Sequence, residues 1–210
     1  MRDSKIKIAL YFISSILLLG CSSQITIAKL NKPAYKNFKK IIKHDKIEAK
    51  KYIEGDPDIV KKIVDEDKYF FERQIEIRNR IVDSLSLLKK EDFIIIDSNS
   101  DNNGQRVEFN YFFYDEKIIY VWFKREENVS NGDVFVKYTP KIENISVQSF
   151  EKNLNGLYDI YKVFKNSTEI PPQLESGSER TSYLVTVVKD KQIKYYSVSG
   201  AWNYKITKLD

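Results

Sequence analysis

Few side chains in this sequence have the types and spacing that metal binding or nucleophilic catalysis requires. His44 is the only histidine and Cys21 the only cysteine in 210 residues. Zinc and copper sites draw on imidazole and thiolate ligands, and a Ser-His-Asp or Cys-His arrangement would have to use His44. The sequence therefore predicts no metal site and no cofactor. His44 is expected to be a solvated residue on the lysine-bearing side of the first helix.

One segment partly matches a calcium-binding loop. Asn99, Asp101, Asn103 and Gly104 fill four positions of a D-x-[DN]-x-[DN]-G pattern. The first position is Asn rather than Asp, however, and Asn110 stands where a bidentate Glu should close the loop. A polar hairpin turn is therefore predicted, with weak divalent-ion binding as the alternative.

Motifs for phosphate or penicillin recognition are missing as well. Phosphate cradles need closely spaced glycines, whereas the seven glycines here are at least 21 residues apart. Ser149 and Lys152 match S-x-x-K, but no companion motif accompanies them. Ser149 is instead predicted to cap a helix.

Two surfaces stand out as candidates for binding. The first predicted helix carries a lysine face, and four of its lysines could rest on anionic lipid head groups: Lys36, Lys39, Lys40 and Lys43. An ordinary solvated face is the alternative. The second candidate is an aromatic face for a peptide, glycan or partner, formed by Tyr111, Phe113, Tyr120 and Trp122. Plain packing in the core is the alternative, and it is favoured.

The periodicity of apolar residues indicates the elements that position these side chains. Helical spacing is predicted from Pro33 to residue 53, from Pro57 onward with Asp56 as N-cap, and again over residues 75–88. Acids at residues 65–67 interrupt the second stretch. From residue 93 the period changes to two, which predicts antiparallel strands, then a helix near residues 150–161 and a hairpin around residues 190–191.

This order of elements indicates an α+β fold. We expect N-terminal helices packed on one face of a mainly antiparallel sheet, with one further helix. Residues 33–210 are predicted to form a single domain, helical over 33–90 and mainly β over 91–210.

The first twenty residues have the organisation of a signal peptide. Arg2, Lys5 and Lys7 precede an uncharged run from Ile8 to Gly20. The run ends in Leu18-Leu19-Gly20-Cys21 and is followed by polar residues. In this pattern the chain resembles a bacterial lipoprotein. The resemblance implies lipidation of Cys21, cleavage before it and acylation of the new amino terminus.

The resemblance sets expectations for location. Residues 1–20 would be removed, and residues 21–32 would form a lipidated tether to the cell membrane or outer membrane, on its extracytoplasmic side. An uncleaved membrane anchor over residues 8–28 is the alternative. The mature chain would carry 32 Lys and Arg against 29 Asp and Glu. This mild balance, together with export, argues against nucleic acid as a partner.

The favoured function is therefore a non-catalytic envelope lipoprotein. Membrane lipid would be bound through Cys21, and the body would bind a protein or glycan in an assembly or immunity role. The alternative is an enzyme that degrades envelope polymers with paired carboxylates, which only a cleft could bring together. Its candidate carboxylates are Asp65, Glu66, Asp67, Asp92, Asp97 and Glu108.

If the lysine face rests on lipid, reversing its charge should weaken that contact. Replacing Lys36, Lys39, Lys40 and Lys43 by Glu is expected to reduce binding of the lipid-free body to anionic liposomes, since each cation near the surface contributes about 1 kcal/mol. A liposome co-sedimentation assay measures the effect. Unchanged co-sedimentation would leave these lysines as a solvated face.

Overall fold

A computed structural model describes residues 25–52, 56–102, 105–130, 133–153, 155–167, 169–175, 181–200 and 203–209. Within these ranges two helical layers enclose one eight-stranded antiparallel sheet. The expected α+β class is confirmed. Residues 1–24, including Cys21, lie outside the described residues.

The helices differ from the prediction in their boundaries. They are α1 (Ile27–Tyr52), α2 (Pro57–Ser84), a short 3-10 turn (Leu87–Lys89), α3 (Val147–Asn153) and α4 (Asn155–Asn166). Asp56 caps α2 as predicted, because its Oδ1 accepts from Asp58 N at 2.9 Å. The predicted interruption at residues 65–67 is wrong. One helix runs through it, since buried side chains on both sides of the acids keep the same apolar stripe.

The sheet contains eight strands in the order β4-β3-β2-β1-β6-β7-β8-β5. They are β1 (Phe93–Asn102), β2 (Gln105–Tyr114), β3 (Lys117–Ser130), β4 (Asp133–Ile145), β5 (Gln173–Glu175), β6 (Thr181–Lys189), β7 (Gln192–Gly200) and β8 (Asn203–Leu209). The predicted hairpin at Asp190-Lys191 is confirmed by the pairing of Lys189 with Gln192. Both turn residues have positive φ, as a two-residue hairpin loop with a type I′ turn requires.

Helices cover both faces of the sheet, so the expectation of helices on one face only is wrong. On one face, α1 and α2 pack on alternate residues of β1 such as Phe93 and Ile95. On the other face, α3 and α4 cover Ile94 and Ile96. The strands at the centre are apolar on both sides, and burying both sides requires two helical layers.

The first helix begins at Ile27, six residues before the predicted start. Thr26 Oγ1 accepts from the Lys29 N–H at 3.3 Å, and Leu30 and Asn31 are 1% and 3% exposed. Asn31 also donates from its side chain to Asn79 Oδ1 on α2 at 2.7 Å. Residues 27–32 therefore belong to the packed body rather than to the predicted tether.

Pro33 lies inside α1 instead of at its first turn. Proline has no N–H, so the carbonyl of Lys29 loses its helical donor. The Tyr195 hydroxyl on β7 donates to this carbonyl at 2.6 Å. A side chain of the sheet thus replaces the bond that proline removes, which a reading of the local sequence could not anticipate.

A double-mutant cycle can test whether the Tyr195 hydroxyl takes the place of the backbone N–H that Pro33 lacks. Tyr195→Phe is expected to lower the free energy of unfolding by up to about 1 kcal/mol when Pro33 is present, because the hydrogen bond from the Tyr195 hydroxyl to Lys29 O is lost. In a Pro33→Ala background the new backbone N–H at position 33 can serve that carbonyl, so the same change should cost clearly less. Urea unfolding measures both costs. Equal costs in the two backgrounds would contradict the proposed replacement.

Candidate functional site

A cavity of about 180 Å³ lies between α1, α2 and the sheet face that they cover. Its charged lining residues are Lys32, Lys36, Lys40, Asp67, Arg78 and Asp97. Its apolar wall includes Phe38, Phe70, Phe71, Ile75 and Leu184. We call this space the Arg78 cavity.

The helix pair that forms the cavity wall is held by aromatic packing. Phe38 of α1 stacks on Phe71 of α2 with ring centroids 3.9 Å apart and planes 3° apart. Tyr35 meets the same Phe71 ring edge-on at 5.3 Å. These contacts fix the position of α1, and with it the lysines that follow Pro33, against α2.

A buried ion pair forms the base of the cavity. Arg78 of α2 is 1% exposed, and its Nη1 donates to Asp97 Oδ2 of β1. Its Nη2 donates to the Leu30 carbonyl of α1 at 3.2 Å and to Thr186 Oγ1 of β6 at 3.4 Å. The guanidinium therefore joins both helices to two strands of the sheet.

Asp97 has a partner for each of its oxygens. In addition to Arg78, Asn110 of β2 donates from Nδ2 to Asp97 Oδ1 at 2.5 Å. Burying two ions costs several kcal/mol each, and only such contacts offset that cost. The network thus holds the charged pair in place and gives each oxygen of the carboxylate a hydrogen-bond donor.

One nitrogen of the guanidinium, Nε, makes no hydrogen bond to the described residues. Among the described residues, Arg78 Nε has no hydrogen-bond partner, although the side chain is almost fully buried. Buried donors without an acceptor are uncommon because they lose their hydration without replacement. Arg78 lines the cavity, so a ligand oxygen could accept from this N–H once neighbouring side chains shift to expose it.

The rest of the charged lining is mostly positive. Lys32, Lys36 and Lys40 follow each other at four-residue spacing and so lie along one side of α1. With Arg78 they give four cations against Asp67 and Asp97. A concave site with an excess of one sign attracts ligands of the other sign.

The structure divides the four lysines predicted to meet lipid into two pairs. All four are exposed on α1, but Lys36 and Lys40 line the cavity, whereas Lys39 and Lys43 are not among its lining residues. The sequence groups the four lysines because helical periodicity shows which residues share one side of a helix, but not which neighbouring element lies beside them. The position of α2 distinguishes them.

Two members of the predicted aromatic face lie in the core. Tyr111 and Phe113 are each 3% exposed, and Phe150 of α3 packs edge-on against both rings. Tyr161 of α4 stacks on Phe113 at 4.3 Å. The prediction of an exposed aromatic face is therefore wrong for Tyr111 and Phe113, because α3 and α4 cover this side of the sheet.

The other two members lie at the margin of that core. Tyr120 is partly buried and stacks on Tyr111 at 4.8 Å. Burial raises the pKa of the Tyr111 and Tyr120 hydroxyls well above the usual value, and both side chains are neutral at physiological pH. Trp122 is half-buried, and its Nε1 donates to Glu143 Oε1 at 2.9 Å.

Several other sequence candidates have structural places. His44 is exposed on α1. Asn99 and Asp101 lie on β1, where they pair with Glu108 and Arg106 of β2. Asn103 and Gly104 lie outside the described residues. The helix cap predicted at Ser149 is wrong: the capping oxygen is Ser146 Oγ, which accepts from the Ser149 N–H at 3.2 Å.

The candidate carboxylates are distributed over several elements. Asp92 Oδ1 accepts from the Asp190 N–H at 3.0 Å, and Glu66 accepts from the Tyr138 hydroxyl at 2.7 Å. Asp65 is exposed on α2, and Glu108 lies on β2 opposite Asn99. Only Asp67 and Asp97, from α2 and β1, line the Arg78 cavity together.

Arg78 was missed by sequence reasoning, although a signal exists. It occupies a helical position between the apolar residues Ile75 and Ile81, where a surface arginine would not be expected. Asp97 likewise continues the inward alternation of Phe93 and Ile95. Two opposite charges at core positions of a predicted helix and strand indicate a buried pair.

A second, wider groove of about 300 Å³ lies near the β2–β3 and β6–β7 turns. Its acids Asp115 and Glu116 pair with Lys90 and Lys165, respectively. Because these charges already have partners at the surface, this groove carries a weaker case for a binding site.

In the part of the chain that is described, no helix is both long and apolar enough to span a membrane. The same residues contain no group of three or more His, Cys, Asp or Glu side chains that could hold a metal ion. Comparison with protein-family models, curated proteins and solved structures finds no match to this chain.

The Arg78–Asp97 pair should dominate the effect of mutations at this site. Asp97→Asn is expected to lower the free energy of unfolding by about 3–5 kcal/mol, because it leaves a buried guanidinium without its counter-ion. The matched control is Glu76→Gln, which breaks the solvent-exposed pair of Glu76 with Arg73 on the same helix. That change should cost less than about 1 kcal/mol in urea unfolding. Similar costs for both variants would refute the role given to the buried pair.

Proposed function

We propose that this protein is a lipid-anchored, non-catalytic binding protein of the bacterial cell envelope. It would sit on the extracytoplasmic side of the cell membrane or outer membrane, attached through acyl chains on Cys21. The sequence Leu18-Leu19-Gly20-Cys21 supports the anchor. The Arg78 cavity, with its unused buried donor and cationic side, is the observation that carries the binding role.

The start of α1 supports a short connection to the membrane. Ile27 follows Cys21 by six residues, and six extended residues reach at most about 20 Å. The N-terminal end of α1 would therefore remain close to the lipid. Lys32, Lys36 and Lys40 follow along the same helix, which favours a cavity entrance near the anionic surface of the bilayer.

Binding is favoured over the alternative of a polymer-degrading enzyme. The alternative has one structural candidate, the carboxylates of Asp67 and Asp97 in one cavity. Each oxygen of Asp97 already accepts a hydrogen bond, one from Arg78 and one from Asn110, which makes this carboxylate less suited to activating water than a carboxylate without such partners. A site that fixes its acid as a counter-ion is suited to holding a ligand.

A protein or glycan partner in an assembly or immunity role remains part of the proposal. Tyr35 and Tyr69 are 47% and 46% exposed on α1 and α2. Exposed tyrosines are common at binding surfaces because the ring is apolar and the hydroxyl is polar. These two side chains are where a macromolecular partner would find its aromatic contacts.

The anchor is tested by replacing its cysteine. Cys21→Ala is expected to release the protein from the membrane fraction or to leave an unprocessed precursor, because no thiol remains for lipid attachment. Cell fractionation and the mass of the mature protein measure this outcome, and Ser23→Ala provides the control that keeps the cysteine. Membrane retention and processing of Cys21→Ala like those of the wild type would overturn the lipoprotein proposal.

A further inference from the structure

We infer that the Arg78 cavity binds a small organic anion: a carboxylate or phosphate ester attached to an apolar body the size of one ring or a short chain. This inference rests on the proposed binding role and names the ligand class for the same cavity. It is carried by three features of the cavity: its charge, its buried donor and its apolar wall.

The charge of the lining selects an anion. Within the cavity, the charge of Asp97 is matched by Arg78, which donates directly to it. Of the remaining charged lining residues, Lys32, Lys36 and Lys40 outnumber Asp67. An entering anion would therefore meet an excess of positive charge, whereas a cation would be repelled by it.

The buried donor gives the anion a fixed position. Arg78 is held by Asp97, Thr186 and the Leu30 carbonyl, so its orientation is set before any ligand arrives. Its Nε–H is the donor without an acceptor among the described residues. A ligand oxygen that accepts from this group would gain a charge-assisted hydrogen bond while the guanidinium keeps its orientation, although the surrounding side chains must shift to admit it, because the N–H has almost no accessible surface.

The wall of the cavity limits the rest of the ligand. Phe38, Phe70, Phe71, Ile75 and Leu184 supply aromatic and aliphatic surface. An apolar cavity of about 150 Å³ is known to hold benzene. A cavity of about 180 Å³ therefore has room for one ring, or for an aliphatic chain of similar volume, beside the anionic group.

Such an anion could be a soluble metabolite, or it could be the head group and upper chain of an anionic lipid in the adjacent bilayer. Both share the required chemistry. The two sources differ in whether anionic lipid competes with a soluble ligand for the cavity.

The test uses the full lipidated protein in nanodiscs of phosphatidylcholine, with hexanoate, benzoate and hexyl phosphate as probes and 1-hexanol as the neutral analogue. Calorimetric titration gives Kd, and thermal unfolding gives the shift in Tm. At least one of the anions is expected to bind and to raise Tm, with hexanol at least about tenfold weaker because it lacks the charge that Arg78 and the lysines recognise.

Matched lysine variants locate the site. The double variant Lys36→Gln/Lys40→Gln is expected to weaken anion binding about tenfold, since both residues line the cavity. The double variant Lys39→Gln/Lys43→Gln removes the same charge from the same helix outside the cavity and should leave Kd nearly unchanged. Arg78→Lys should also weaken binding while keeping the charge, because lysine has no Nε–H donor at that position.

Competition identifies the source of the ligand. If hexanoate binds more weakly in nanodiscs containing phosphatidylglycerol, and Lys36→Gln/Lys40→Gln removes that difference, an anionic lipid occupies the cavity. If hexanoate binds equally in both lipids, the ligand is soluble. Both results support the inferred anion site.

Three results would overturn the inference: no binding of any anionic probe at millimolar concentration, equal affinity for hexanol and hexanoate, or equal weakening by the two lysine pairs. Insertion of the protein into nanodiscs would be unaffected by each of them. Failure of the anion site is therefore distinguishable from failure of the membrane anchor.

Discussion

The buried guanidinium of Arg78 is the interaction on which the arrangement of the first helical layer depends. Through Asp97, Thr186 and the Leu30 carbonyl it contacts β1, β6 and α1 from its place on α2. A charge this deeply buried is tolerated only with such partners, and each partner belongs to a different element. The relative positions of these elements, and the cavity between them, therefore depend on the hydrogen bonds of this one side chain together with the stacking of Phe38 on Phe71.

The start of α1 also depends on a contact with a residue that is distant in the sequence. Pro33 removes a helical donor, and Tyr195 of the sheet supplies one to Lys29 instead. The helix can therefore start at Ile27 and pass through the proline. With the proposed attachment at Cys21, this would leave only a short connection between lipid and body, and the lysines of the Arg78 cavity would lie on the first described helix after the proposed anchor.

The two-sided burial of the sheet explains why the aromatic residues do not define a binding face. Tyr111 and Phe113 point to the side covered by α3 and α4, while Phe112 points to the side covered by α1 and α2. Aromatic side chains on both sides of β2 are what a sheet between two helical layers needs. The proposed binding role rests instead on the Arg78 cavity, where charged and apolar side chains line the same space.

The sequence by itself determined the local features: the capping of α2 by Asp56, the change from helical to strand period near residue 93, the hairpin turn at Asp190-Lys191 and the α+β class. Each depends on neighbours in the chain, which periodicity and turn chemistry report. The start of α1, the second helical layer and the division of the lysines by α2 were decided only by the tertiary structure. They depend on contacts between residues far apart in the chain: Tyr195 with Lys29 and Arg78 with Thr186 for the first layer, and Tyr161 with Phe113 for the second. Local patterns can indicate that a charge is buried, but they do not say which distant group contacts it, and that contact decides its energy.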